Sequence, residues 1–599
     1  MPPLLSVAAF VVILTANITI ISALKEAPEF ATNYRVEGTL SLPYAELSEP
    51  FTAFYDKNRQ LSRIDYYDNL YNVYQFGPKS GRHQYGVLYK MAYAPMKANA
   101  LNDVKKHCFM VQGGVGSTID AQTVLPNLAD FQYGSTGPCP RKNFQFHGAQ
   151  CELWRHVYET KMGKKNTYKM WVQRLKDNTV VPVYYYMQGY DTLLGSHYDR
   201  YDVIYNNFAR DAATDKDFIL KDKLLGCGPM PGPGFNDNDH DDNINRTTTS
   251  EAEHRLSLIV SNPIHEYISG PHDYEHVDHE YDKFAKAHER KVPKPGDSEH
   301  KKKVHHQRWF NFLHNMRFIR AKNRSNQHYQ LKVNRFADHS SDELRYLRGR
   351  RYSKRYNGGL SYSQIHGKEA VQSAIEKFPK TFDWRIAGAV TPVKDQAVCG
   401  SCWSFGTTGT IEGAYFVKTG QLLRLSQQQL VDCSWPFANN GCDGGEDFRA
   451  YEYIEAAGGL ATEEEYGHYL GVDGKCHQNS VKKAVKVLGF YNVTSNDVAE
   501  LKHALLKYGP VTVAIDASPQ SFTFYSHGIF YEPSCKNTPD GLDHQVLLVG
   551  FGVLNGQEYW LIKNSWSTYW GNDGYINMAI KDNNCGVMTA PTVPIVETA

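Results

Sequence analysis

Gln396-Ala-Val-Cys399-Gly-Ser-Cys402-Trp-Ser-Phe405 is the stretch on which the reading of this chain turns. A thiol attacks a carbonyl well only as thiolate, so a working cysteine needs a base beside it and gains from the positive end of a helix. Small residues ahead of Cys402 let other backbone come close, and Trp403 to Val417 reads as a helix whose N-terminal end faces the sulphur. Asp543-His544 follows 142 residues after Cys402, ahead of the strand-like apolar run Val546 to Phe551, and Asn564-Ser-Trp566 begins 162 residues after it.

The rest of the chain sets the context. At 599 residues it exceeds one hydrophobic core and predicts several domains, and a net charge of +1 singles out no partner. Eleven cysteines form two groups: Cys108, Cys139, Cys151 and Cys227, then seven from Cys399 onward. In an oxidising compartment ten can pair and one can remain a working thiol. Leu4 to Leu24 is almost wholly apolar and ends in small residues. It predicts a signal peptide over residues 1–23, with an uncleaved anchor as the alternative. Asn245, Asn323 and Asn492 stand in N-x-S/T sequons and are candidate glycan sites on that reading.

Cys399-Gly-Ser-Cys402-Trp403 resembles the signature of the papain and cathepsin peptidases, and the resemblance runs from Phe378 to the C-terminus. Asp383-Trp384 is similar to the mature start of these enzymes, Cys442-Asp-Gly444-Gly445 to their cleft-lining glycines, and Gly571-Asn-Asp-Gly-Tyr575 to the segment after Asn-Ser-Trp. The resemblance implies Cys402 as nucleophile, His544 as base and later acid, Asn564 as orienter covered by Trp566, and Gln396 with the Cys402 N–H as oxyanion donors. A Cys–His ion pair of this kind holds the thiol pKa at about 3–4. It implies disulfides Cys399–Cys442, Cys433–Cys476 and Cys535–Cys585, leaving Cys402 as the odd thiol, and no cofactor or metal. The four N-terminal cysteines allow three pairings. Around the substrate it places Gly444, Gly445, Glu446, Asp447, Ala514, Leu542, Gln545, Trp566 and Ala590. Ala514, Leu542 and Ala590 imply an apolar specificity pocket, Gln545 stands where a small residue is usual, and Glu446 and Asp447 can welcome a basic group at the rim or simply face water.

The segment before the enzyme resembles the family's inhibitory propeptide. Arg308, Phe312, Asn315, Ile319 and Asn323 fall on its helical spacing, with Val304 in place of the first Glu. Asn334, Phe336 and Asp338 match its second motif, with Lys332 in place of a Gly. The helical motif points to the cathepsin L branch. Residues 276–355 hold 21 Lys/Arg against 9 Asp/Glu, whereas 378–599 hold 15 against 23, so the two are expected to dock. That leaves the basic block no call on nucleic acid.

Further upstream, Val180 to Met187 and Tyr198 to Tyr205 are rich in Tyr and Val, with turns near Asp177-Asn178 and Gly195. They predict an antiparallel β domain, a curved sheet or barrel, whose aromatic stripes form an ordinary core or line a ligand cleft. Pro229 to Thr249, with Asn236-Asp-Asn-Asp-His-Asp-Asp-Asn243 inside it, predicts a solvated linker open to nicking. His265, His272, His276 and His279 read as a solvated His-rich segment rather than a metal site.

The expected fold class is α+β. It comprises a signal peptide (1–23), an N-terminal antiparallel β domain (24–235), a linker (236–275), a helical inhibitory propeptide (276–377) and a two-lobed papain-like peptidase (378–599). That order resembles the insect two-subunit haemocyte proteinases, which implies an N-terminal chain that stays with the peptidase noncovalently after processing. The function implied is an endopeptidase made as a secreted or lysosomal zymogen. The alternatives are a dipeptidyl exopeptidase with its cleft blocked by the N-terminal domain, and a degenerate enzyme serving as a binding protein.

Overall fold

The computed structural model describes residues 25–95, 104–115, 118–159, 164–220, 226–229, 261–268, 274–326 and 328–599. The expected signal peptide, Asn245, His272 and the Asp/Asn-rich run 236–243 lie outside these residues.

The N-terminal region is one twelve-stranded sheet. The chain runs as neighbouring antiparallel strands from Asn33–Leu42 to Val104–Gln112, then again from Gln132–Pro138 to Ser196–Arg210. Ser196–Arg210 returns beside Asn33–Leu42 and joins the two meanders, while Cys227–Pro229 pairs in parallel at one edge. Alternation drives this: every second residue of Asn33–Leu42 is buried. Asn178 and Gly195 take positive φ at the expected turns. The disulfides are Cys108–Cys227 and Cys139–Cys151.

The tyrosine-rich face is filled by the chain itself. Tyr66, Tyr168, Tyr185, Tyr201 and Tyr205 share one buried cluster with Ile264, Tyr267, Tyr274, Trp309, Phe310 and Leu313. This corrects part of the expected linker. Ser261–Ile268 is packed, with Asn262 accepting from the Tyr66 hydroxyl and donating to Gln75. His276 is likewise buried rather than solvated. No group of three or more metal-ligating side chains occurs among the described residues.

The propeptide follows as helices Glu275–Ala287 and Glu299–Ser325. The long helix lies on the β sheet by its apolar residues and by two buried cations. Arg317 reaches Asp199 at 2.7 Å and Glu266 at 2.6 Å, and Arg324 reaches Glu49 at 2.6 Å. His314 bonds to the Tyr198 carbonyl, and Phe310 stacks on the Tyr198 ring at 4.8 Å. The basic block therefore faces two ways. Arg317 and Arg324 serve the β domain, while Arg335 with Asp395, Arg348 with Asp543 and Arg355 with Glu452 serve the peptidase. Val304 is 47% exposed and the Lys332 side chain is exposed, while the Lys332 N–H still donates to Phe524. Both departures from the family pattern point to solvent and leave the docking intact.

Removing one member of a buried ion pair costs about 3–5 kcal/mol, because the other charge stays buried and uncompensated. Arg317→Met is expected to cost that much in a urea melt of the zymogen, against less than about 0.5 kcal/mol for the exposed Val304→Ala. Equal midpoints for the two variants would refute the role given to Arg317.

The peptidase region has a helical lobe around Cys402–Thr419 and a mixed sheet whose centre is His544–Leu554 and Gln557–Lys563. Propeptide strands extend this sheet at both edges: Tyr329–Leu331 beside Tyr525–Phe530, and Leu360–Ser361 beside Val485–Asn492. No described helix is long and apolar enough to cross a membrane.

Candidate active site

Cys402 is the first residue of an 18-residue helix, so its sulphur sits at the helix's positive end. The helix packs tightly onto the sheet through small residues. A Cβ on Gly409 would lie 2.7 Å from Leu547, and one on Gly413 would lie 2.4 Å from Pro510. That approach brings Cys402 against the start of strand His544–Leu554, where the Gln545 backbone lies beside the thiol. His544 Nε2 donates to Asn564 Oδ1 at 2.8 Å, leaving Nδ1 without a hydrogen-bond partner. Trp566 lies over the imidazole, ring centroids 5.0 Å apart.

Gln396 is held from behind: Ser565 Oγ donates to its Oε1 at 2.6 Å, and its N–H donates to the Ser565 carbonyl. The sequence reading passed over Ser565, although it stands between Asn564 and Trp566. The three disulfides are Cys399–Cys442, Cys433–Cys476 and Cys535–Cys585, and Cys402 is the free thiol.

The propeptide occupies this site. The Gly349 N–H donates to Cys402 Sγ at 3.3 Å, and Gln396 Nε2 donates to the Leu347 carbonyl at 3.0 Å. The chain continues along the cleft, with the Gly445 N–H donating to Gly349 and the Arg351 N–H to Gly445. The sulphur therefore meets an amide N–H, not a carbonyl carbon. Burial pushes the Cys402 thiol up to about 11 and the His544 imidazole down to about 4, so the zymogen holds a neutral pair.

The remaining substrate-binding candidates divide. Gly444 and Gly445 line the cleft against Gly349 and Arg351. Glu446 faces the cleft and accepts from the Ser353 N–H. The Leu542 carbonyl accepts from Arg350, and Ala514 is buried on the strand beside Gln545. Ala590 is half-buried. Asp447 turns inward to the Thr592 hydroxyl, neither facing water nor at the rim. Gln545 points away from the cleft: its amide donates to Thr512 and it packs on Gly406, lining a small pocket with Glu412 and Lys563. Strand alternation explains this, since His544 and Gln545 are neighbours and must face opposite sides.

Two of the sequon asparagines carry structural bonds. Asn323 exchanges both amide bonds with Leu331, and Asn492 with Asn357. A glycan on either nitrogen would break that exchange.

Comparison with known proteins follows the same division. A papain family cysteine protease profile matches residues 378–595, and a cathepsin propeptide inhibitor profile matches 281–344. A cathepsin L-like peptidase of Aedes aegypti is 41% identical over 329 residues, covering 54% of this chain and 94% of that protein. The chain belongs to the papain family of cysteine peptidases. Cathepsin L1 of Drosophila melanogaster is 43% identical over 286 residues, 47% of this chain and 75% of that one. Digestive cysteine proteinase 2 of Homarus americanus is 38% identical over 347 residues, 57% and 97%. The papain-family match thus accounts for the propeptide and the enzyme, and both matched spans lie beyond residue 280.

Proposed function

We propose that this papain-family chain is a zymogen of an endopeptidase acting through Cys402 and His544 as thiolate and imidazolium. The observation that carries it is the occupancy of the site: propeptide backbone lies on the Cys402 thiol and on the Gln396 amide, the two groups a scissile peptide needs. With the propeptide gone, water returns to both groups and the burial that keeps them neutral is lifted. Sγ then attacks the carbonyl carbon, with the oxyanion taken by Gln396 Nε2 and the Cys402 N–H. His544 passes its proton to the leaving amine, and water then attacks the thioester with His544 as base. Asn564 holds the imidazole by accepting from Nε2, which leaves Nδ1 as the nitrogen to serve the sulphur. Five disulfides support synthesis in an oxidising compartment, and a secreted or lysosomal destination follows from that.

Long, N-blocked peptides are expected to be cut as readily as those with a free amine. Cleavage confined to free-amine substrates, two residues at a time, would establish the dipeptidyl alternative instead. The β domain supports the first outcome. Among the described residues, its hydrogen bonds and ion pairs to other regions go to the 261–268 segment and the propeptide, and none goes to 378–599.

The same distribution bears on the two-chain state. Noncovalent association of the N-terminal part with the peptidase runs through the propeptide. Cutting after the long helix, in the run Arg348-Gly-Arg-Arg-Tyr-Ser-Lys-Arg355 or nearer Phe378, leaves the β domain still gripping that helix. Degrading the helix ends the association.

Acid loosens the propeptide in two stages. Burial holds His314, and less completely His305 and His288, below the ordinary histidine value. Once released they bind a proton near pH 6.5, whereas in place they bind it only at lower pH. The released state thus binds more protons, and stability falls as pH drops below about 6.5. Against their burial, Arg317 holds Asp199 and Glu266 below the carboxylate range, and His339 with Arg290 does so for Asp338. Their contribution is whole above about pH 4.5 and is lost as pH falls through those depressed values. Occlusion of the cleft is expected to weaken from about pH 6 and to collapse below about pH 4, read as the rate of zymogen activation. His314→Gln is expected to flatten the first stage; an unchanged profile in that variant would remove His314 from the account.

A further inference from the structure

Arg350 of the propeptide adjoins Gly349, the residue at the Cys402 sulphur, and its side chain turns into the peptidase beside the cleft glycines. Nη1 donates to the Pro539 carbonyl at 2.9 Å and the Leu542 carbonyl at 3.0 Å, and Nη2 lies 3.9 Å from Glu446 Oε1. The guanidinium is 6% exposed and the Glu446 side chain 4%. Its backbone pairs with the cleft, Arg350 bridging Gly445 and its N–H donating to the Asp543 carbonyl. A substrate laid on Gly445 would place a side chain in the same position, one residue from the bond being cut.

The peptidase groups around the guanidinium suit a cation: two carbonyl oxygens within hydrogen-bond distance and a carboxylate at 3.9 Å. Glu446 is fixed in place, with Arg449 Nε 3.2 Å from Oε2 and the Asn439 side chain accepting from its N–H. Arg449 is itself anchored to the Phe437 and Ala438 carbonyls. Asp447 beside it adds negative charge. Apolar Leu542 suits the methylene stem of a long basic side chain, which packs against hydrocarbon while its head stays polar. A neutral side chain there would leave the two carbonyls without the guanidinium's donors and Glu446 with Arg449 as its one remaining cation, the situation that penalises a substrate lacking the matching polar group.

Resting on the peptidase reading above, we infer that Glu446 makes this subsite select an arginine next to the residue at the scissile bond, and that Arg350 fills it in the zymogen as the chain's own occupant.

The test uses the matured protein and N-blocked fluorogenic peptides that differ only at that position, Arg against Leu, at about pH 7, because burial raises the Glu446 carboxyl above the ordinary carboxylate value. The expected ratio of kcat/KM, Arg over Leu, is about tenfold or more, the effect of one charge-assisted contact. Glu446→Gln is expected to lower that ratio about tenfold. A wild-type ratio below one overturns the proposal without any variant, so a misfolded Glu446→Gln enzyme would not protect it. An unchanged ratio in a folded Glu446→Gln enzyme overturns it too. If neither peptide is cut by wild-type protein, the peptidase reading has failed, which is a different result from cleavage without preference.

Discussion

Cys402→Ala is expected to lower peptide hydrolysis by on the order of 10⁶-fold, the scale on which loss of an acyl-transfer nucleophile acts, while the protein keeps its fold. The second half matters as much as the first. Cys402 is the free thiol, so no disulfide is lost, and alanine is the best helix former at a helix's first turn. The lost Sγ hydrogen bond is the one from the Gly349 N–H, which closes no element. The variant should therefore melt within about 1 kcal/mol of the parent zymogen. Cleavage of a peptide at an undiminished rate would refute the assignment; loss of both activity and fold would leave Cys402 as a packing residue.

Gly349→Ala is expected to open the zymogen. A Cβ built on Gly349 falls 1.7 Å from the Gly400 carbonyl oxygen and 2.2 Å from its carbon. That obstacle is backbone, held between the Cys399–Cys442 disulfide and Cys402, so it cannot swing aside as a side chain would. The propeptide strand must lift instead, and three bonds go with it: Gly349 to the thiol, Gly445 to Gly349, and Gln396 to Leu347. At about 0.5–1.5 kcal/mol each, the cleft should open about 10- to 10³-fold more often. Because Cys402 is the one free cysteine, alkylation by a small thiol reagent reads that opening directly. The variant zymogen should label faster at neutral pH by this factor, whereas Val304→Ala should not. Labelling at the parent rate would mean that the strand does not guard the thiol.

Much of this was legible in the chain because the chemistry is local in sequence. Thiol, imidazole and amide each sit in a short run of distinctive residues, and helix and strand periods around them follow from apolar spacing. The β domain was legible for the same reason: Val180 to Met187 and Tyr198 to Tyr205 alternate and form strands. What failed did so where burial depends on a distant partner. Ser261–Ile268 looked like linker because its few apolar residues, Ile264, Tyr267 and Ile268, are too few to declare a core; they are buried because Tyr66 and Tyr201 cover them. Gln545 was placed in the cleft by its neighbour His544, and the strand's two-residue period turned it to the other side.

By itself the sequence determined the peptidase, its catalytic candidates, the helical propeptide and the presence of a tyrosine-rich sheet, since each is written in residues close together along the chain. Only the tertiary structure decided which of three disulfide pairings the N-terminal cysteines adopt, that Arg317 and Arg324 belong to the β domain while Arg348 and Arg350 belong to the enzyme, and that Glu446 faces an arginine where Asp447 faces inward. Like charges on one basic segment are indistinguishable in a sequence. The buried carboxylate that each one reaches is set by which surfaces the fold brings together, and a cation is buried only where such a carboxylate or a carbonyl meets it.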